Sequence, residues 1–94
     1  MQSSDGKSEL LRAAVQSIAD QDLQTIRQGI GDNIRQLREQ RGWSHARLAE
    51  ETDIAADHLA AIEAGEPGRA DFDSLVKIRR CLDVTYPDIF GGIG

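Results

Sequence analysis

The sequence has little that would build a disulfide-bonded, metal-binding or membrane protein. Cys81 is the single cysteine among 94 residues, so no intrachain disulfide is possible. The two histidines have no further ligand at a spacing typical of zinc sites. No apolar run approaches the roughly 18–20 residues of a membrane helix, and residues 1–7 lack the features of a signal peptide. We therefore expect a cytoplasmic, soluble protein without metal, cofactor or membrane contact.

Aromatic residues and positive charge are also scarce. Aromatics make up 4% of the chain and hydrophobic residues 39%, so the core must consist of Leu, Ile, Val and Ala. The net charge is −5, and residues 30–94, with eight basic and twelve acidic side chains, carry −4. Neutralisation of phosphates usually supplies much of the affinity for nucleic acid. The net negative charge therefore argues against a nucleic-acid-binding protein, unless the basic residues are concentrated on one surface.

The apolar residues recur at helical rather than strand spacing. We divide the chain into a flexible start with an amphipathic helix (1–29), a domain of short helices (30–90) and a loose tail (91–94). The amphipathic helix is predicted to end at Gly29, a residue type that suits the position just after a helix. Its apolar positions are Leu11, Val15, Ile18 and Ile26.

Five helices are predicted in the domain, and the fold class is all-α. Ser44 is the expected cap of the second helix, Gly65 the stop of the third, and Asp71 or Asp73 the cap of the fourth. Pro87 suits the first turn of a final short helix. The predicted ranges are about 32–40, 44–51, 55–64, 73–82 and 86–90.

Residues 30–90 resemble the Cro/repressor-like (lambda-repressor-like) helix-turn-helix DNA-binding family. In that family an Ile-x-x-Leu-Arg helix, a glycine and an apolar residue precede a Ser-Gln-x-x-Leu-Ala helix, as in the run from Ile30 to Glu51. The segment Leu59-Ala-Ala-Ile-Glu-Ala-Gly65 is similar to the end of its recognition helix. The resemblance implies a repressor-like transcriptional regulator that binds double-stranded DNA as a dimer. It also implies a structural ion pair between Arg38 and Glu63.

The resemblance places the helix at about 55–64 in the DNA major groove. Alanine contacts a thymine methyl group but makes no hydrogen bond to a base, so strong direct readout is not expected. His58 is the best polar candidate to read a base, with an exposed bystander as the alternative. The residues predicted to face bases are Ala55, Ala56, Asp57, His58 and Ala61.

Phosphate contacts are better supplied than base contacts. Backbone N–H groups at a helix start favour anions, and His45 stands where the family usually has Gln. Asp53 replaces the connector glycine, which is tolerable because Asp enters left-handed backbone geometry more readily than most residues. The predicted phosphate contacts are Ser44, His45, Arg47, Arg69 and Arg41.

The sequence leaves several functions open. The apolar positions of the first helix either pair with a second copy, which we favour, or fold back on the domain. A close variant of the regulator is an antitoxin that binds a small toxin through this helix or its acidic surface. The alternative from another functional class is a helix-turn-helix scaffold that binds proteins and no longer binds DNA. No catalytic constellation is present, so an enzyme is not expected.

Overall fold

The computed structural model describes the backbone of residues 2–93 and the side chains of residues 9–93. It contains five helices and no strand within those residues, which confirms the all-α class. The helices are α1 (Gln2–Gln40), α2 (His45–Thr52), α3 (Ala56–Glu63), α4 (Phe72–Leu82) and α5 (Tyr86–Phe90).

The amphipathic helix is not separate from the domain, so the helix stop predicted at Gly29 is wrong. The helix α1 runs through Gly29 and Gly31 as one element of 39 residues. A Cβ at Gly31 would lie 2.5 Å from the carbonyl oxygen of Glu63 and 2.6 Å from that of Ile62. Both glycines therefore let other parts of the chain approach α1, at a modest cost in helix propensity. The close approach of α3 to α1 requires glycine at position 31, and α1 continues through both glycines without a turn.

The hydrophobic core is drawn from all five helices and begins with the second half of α1. Among residues 9–93, Ile30 is the first buried apolar residue and Ile89 the last. The fully buried large side chains are Ile34, Leu48, Leu59, Ile62, Ile78, Leu82 and Ile89. The core therefore ties α2–α5 to the end of α1, and it leaves the earlier part of that helix outside.

The apolar side chains of the first half of α1 are exposed. We call Leu11, Val15, Ile18 and Ile26 the apolar stripe; their exposed fractions are 67%, 64%, 58% and 45%. The alternative that this segment folds back on the domain is therefore wrong. Leu10 and Leu23 are exposed as well, so six large apolar side chains of one helix face solvent, and exposed apolar patches usually mark interaction surfaces.

Three of the short helices begin at residues whose side chains cap the first turn. Ser44 caps α2, and Asp71 rather than Asp73 caps α4, each accepting a hydrogen bond from the backbone N–H three residues later. Thr85 and Asp88 form a reciprocal capping box at α5, with Pro87 in its first turn. These bonds fix the starts of α2, α4 and α5 and hence the positions of the loops that precede them.

Cys81 packs beside the core on α4 and is half-buried. Burial raises the pKa of its thiol and Glu51 raises it further, while Arg41 and Arg47 oppose them, and the pKa is raised overall. A raised thiol pKa lowers the fraction of reactive thiolate. Cys81 is therefore a packing residue, as its position in an apolar stretch predicted.

Candidate nucleic-acid interface

The two helices α2 and α3 form a helix-turn-helix with a three-residue connector, 53–55. Asp53 takes the left-handed conformation, with φ 59° and ψ 32°, as predicted for this position. The Thr52 hydroxyl donates to the Leu48 carbonyl at 2.6 Å and accepts from the N–H of Ile54 at 3.3 Å. Ile54 is buried, so the connector is pinned to the core and the angle between the helices is fixed.

The face of α3 that points away from the core is small and nearly uncharged. Ala55 and Asp57 are exposed, and Ala56, His58 and Ala60 are half-buried. No side chain caps the start of this helix, because its N-cap residue is an alanine. The face therefore offers methyl groups and one carboxylate to whatever approaches it.

Ala61 does not belong to that outer face. Only 9% of it is exposed, because it lies on the side of α3 that packs against the domain. The prediction that it faces a base is corrected on this ground. Ala60, which was not predicted to face a base, is more exposed than Ala61 and belongs to the outer face instead.

His58 is engaged with the loop that follows α3. Its Nε2 lies 2.7 Å from the Arg69 carbonyl oxygen and 3.4 Å from a carboxylate oxygen of Asp71. Both partners accept hydrogen bonds, so Nε2 carries the proton and donates. His58 therefore joins α3 to Asp71, the N-cap residue of α4. Its Nε2 is engaged in these contacts and is not available to hydrogen-bond a base, which is the role that was predicted for His58.

The end of α3 is anchored by a buried ion pair to α1. The Arg38 guanidinium donates two hydrogen bonds to the Glu63 carboxylate, at 2.8 and 2.9 Å. It also donates to the Trp43 carbonyl at 2.7 Å, which holds the loop before α2. A two-pronged pair of this kind fixes orientation as well as position. The structural role implied for these two residues is confirmed.

The carboxylate of Glu63 has a second neighbour in His45, whose Nε2 lies 3.0 Å away. Burial by itself raises the pKa of Glu63, but the hydrogen bonds and charges of Arg38 and His45 outweigh it and lower the pKa overall. His45 thus faces the network between helices α1 and α3 with one ring nitrogen. The predicted contact between His45 and a phosphate would therefore be made through the other ring nitrogen, Nδ1.

The start of α2 presents one exposed cation. Arg47 donates to Glu51 at 3.1 Å, and its guanidinium lies 4.9 Å from the centroid of the Trp43 ring. The Ser44 hydroxyl accepts from the backbone N–H of Arg47 at 3.1 Å, so its side chain caps the helix. Both partners of the Arg47–Glu51 pair are about half exposed, and such pairs break at little cost. Arg47 is therefore available to a phosphate.

The other two predicted cations differ in their surroundings. Arg41 donates to the Leu82 carbonyl at the end of α4 and also lies over the Trp43 ring, so it stabilises the fold. Arg69 is exposed in the loop after α3, with Glu66 at 3.9 Å as its nearest acidic neighbour. Arg41 is therefore a weaker phosphate candidate than predicted, and Arg69 a stronger one.

Comparisons with known proteins agree with this geometry. The family model described as helix-turn-helix matches residues 34–89. The transcriptional regulators SinR of Bacillus subtilis (strain 168) and of Bacillus licheniformis are each 34% identical over 56 residues, 60% of the chain. The chain spans about half the length of these curated relatives, since the match covers 50% of each. No solved structure matches the chain. The resemblance predicted from the sequence is confirmed.

No three His, Cys, Asp or Glu side chains lie together as metal ligands in the part of the chain that the structure describes. Within the same residues, no helix is both long enough and apolar enough to cross a membrane.

Proposed function

Because the chain belongs to the helix-turn-helix family, we propose that it is a DNA-binding transcriptional regulator whose α3 lies in the major groove. The observation that carries this proposal is the placement of α3 in the fold. Its rear is anchored by the buried Arg38–Glu63 pair, while its outer face lies at the surface, clear of the apolar stripe. A rigid, exposed second helix is what insertion into a groove about 12 Å wide requires.

We assign affinity mainly to phosphate contacts and specificity to apolar contacts. Arg47 at the start of α2 and Arg69 in the loop after α3 are exposed cations in the segments that precede and follow α3 along the chain. The methyl groups of Ala55, Ala56 and Ala60 fit thymine methyl groups. No Arg, Asn or Gln on α3 offers a two-pronged contact to a base. The expected result is binding with modest sequence preference.

Salt dependence of DNA binding tests the proposal, and Arg69→Ala is its sharpest variant. We expect log K to fall with log salt at a slope of about −0.9 for each phosphate contact. Arg69→Ala is expected to weaken binding to all duplexes alike and to reduce the slope by about 1 for each contact removed. Mobility shifts with random and selected duplexes at several salt concentrations provide the measurement.

Arg12→Ala is the matched control for that experiment. It removes the same charge from an exposed position on α1 that lies 19 residues, or about 28 Å along the helix, before the contact of Gly31 with α3. Its salt slope is expected to equal that of the parent chain. Equal losses in the two variants would mean that net charge alone governs binding, and the placement of Arg69 at the interface would be wrong.

We also propose that the apolar stripe of α1 joins two copies, since binding to paired half-sites requires a dimer. Ile18→Lys places a charge in the stripe and is expected to give monomers. Ser17→Lys, about 100° away around the helix, adds the same charge at an exposed position and is expected to leave the dimer intact. Sedimentation equilibrium distinguishes them, and a monomeric parent chain would contradict the proposal.

A protein-binding scaffold is the second candidate function. The net charge of −4 on residues 30–94 and the uncharged methyl groups of α3 favour it over a strong DNA reader. On this alternative, a folded dimer shows no binding to any duplex even at low salt. The same outer face of α3, or the stripe of α1, would then contact a protein such as a toxin.

A further inference from the structure

The apolar stripe has a symmetry that limits how a second copy can bind to it. At about 100° per residue, Leu11, Val15, Ile18 and Ile26 fall within a sector of about 80° on α1. Asp22 falls in the same sector. Around a midpoint between residues 18 and 19, Leu11 pairs with Ile26 and Val15 pairs with Asp22, while Ile18 lies beside the midpoint. Reversing the direction of the helix therefore superposes four of the five positions and places Ile18 opposite Ala19.

Asp22 discriminates between the two possible directions of a paired helix. In a parallel, in-register pair, Asp22 lies directly opposite Asp22 of the other copy, within an otherwise apolar seam. Two carboxylates removed from water at that distance repel each other strongly. In an antiparallel pair, Asp22 lies opposite Val15, and the two carboxylates are about seven residues, or about 10 Å, apart along the axis. The opposed helix dipoles favour this direction as well.

The position at which the exposed sector of α1 ends also fits the antiparallel register. From Gly29 onward the sector is covered by the chain's own C-terminal residues, because Ile93 lies against Gly29. Asn33 donates to the carbonyls of Ile89 and Gly91 at 2.7 and 3.0 Å. A partner helix thus has residues up to Gln28 to contact. In the antiparallel register the residue opposite Gln28 is Glu9, close to the start of the stripe.

We propose that two copies of this chain pair through α1 in an antiparallel direction, with the twofold axis between Ile18 and Ala19. The inference rests on the proposed dimer and adds its direction and register. It places the two domains at opposite ends of the paired helices. Their Gly31 residues, 25 residues apart in register, lie about 37 Å apart along the axis. This arrangement favours two separated half-sites over one compact site.

Single-cysteine variants of the full chain test direction and register without DNA. Cys81→Ser first removes the native thiol, and Leu11→Cys or Ile26→Cys is then added at exposed positions outside the core. Two Leu11→Cys chains hold their thiols about 22 Å apart in the antiparallel register, too far for a disulfide. Mixing Leu11→Cys with Ile26→Cys chains brings the two thiols opposite each other. With an added oxidant, only the mixture is expected to give a covalent dimer.

The control and the contrary outcomes are distinct from those of the DNA experiments. Ser17→Cys, which lies outside the sector, is expected to give no covalent dimer alone or with Ile26→Cys. A covalent dimer of Leu11→Cys alone means a parallel pair and overturns the proposal. No covalent dimer in any sample, with monomers in sedimentation, overturns it too and assigns the stripe to another protein. If the mixture alone reacts but no duplex is bound, the register holds and the proposed function fails.

Discussion

Replacing Arg38 by alanine is expected to lower the free energy of unfolding by about 3–5 kcal/mol, because it leaves the buried Glu63 carboxylate without its cation. In the parent chain this carboxylate receives two hydrogen bonds from Arg38 and is 5% exposed. His45, the other neighbour, supplies a full positive charge only when protonated. Urea unfolding at neutral pH and fixed protein concentration measures the loss.

Two matched variants make this result interpretable. Arg35→Ala removes a cation three residues earlier on α1, where the pair with Asp32 is largely exposed, and is expected to cost less than about 1 kcal/mol. A double variant, Arg38→Met with Glu63→Leu, removes both buried charges and is expected to be more stable than Arg38→Ala. A single-variant loss no larger than that of Arg35→Ala would contradict the importance of the pair.

The pH dependence of the same pair follows from the direction of the pKa shift. Glu63 has a folded-state pKa below its ordinary value of 4.5, so it contributes stability above that pH. This contribution is lost as the pH falls through the lowered pKa. In Arg38→Ala the lowering effect of Arg38 is lost, so we expect the pKa of Glu63 to be higher than in the parent chain and protonation of the buried carboxylate to relieve the penalty. The difference in stability between parent and variant is therefore expected to shrink on acidification from pH 7.

Gly31→Ala is expected to destabilise the fold by about 1–3 kcal/mol, although alanine is the better helix former. The added Cβ would lie 2.5 Å from the Glu63 carbonyl oxygen and 2.6 Å from that of Ile62. Both obstacles are backbone atoms in the last turn of α3, so relief requires that helix to move from α1. Thermal unfolding of the variant measures the cost.

Gly29→Ala is the control for this prediction, since it makes the same chemical change two residues earlier. There the three atoms nearest to the added Cβ all belong to the side chain of Ile93, the first of them at 2.5 Å. A side chain can change rotamer, and the gain in helix propensity offsets part of the cost. We expect a change within about 1 kcal/mol. Equal losses at the two positions would contradict the close approach of α1 and α3.

Local chemistry made several features predictable from the sequence. Ser44 is a cap because its hydroxyl satisfies a backbone N–H three residues later, a bond within four residues of chain. The left-handed Asp53 follows from its short polar side chain in the connector. Apolar spacing alone gave most of the core. The Arg38–Glu63 pair came instead from the family resemblance, since no local rule joins residues 25 apart.

The features that were mispredicted depend on contacts between distant segments. Gly29 looks like a helix stop by residue type, but the neighbouring Gly31 packs on α3, so the helix continues. Ala61 is small enough for either face of a helix, and periodicity among alanines does not decide which face is buried. The contacts of His58 with Arg69 and Asp71, which lie 11 and 13 residues further along the chain, could not be predicted from local sequence either, and its role as a base reader stays a prediction. Such outcomes are decided by tertiary packing, which overrides local propensity.

The unbroken course of α1 determines how events at its two ends relate to each other. Its early turns carry the stripe, and its last turns hold Arg38 against the end of α3. A straight helix of 39 residues is about 58 Å long and has no joint between these regions. A partner bound to the stripe is therefore expected to move together with α3 as one rigid body. Inserting one residue near Ala19 would rotate the stripe by about 100° relative to α3 and so change the orientation of such a partner.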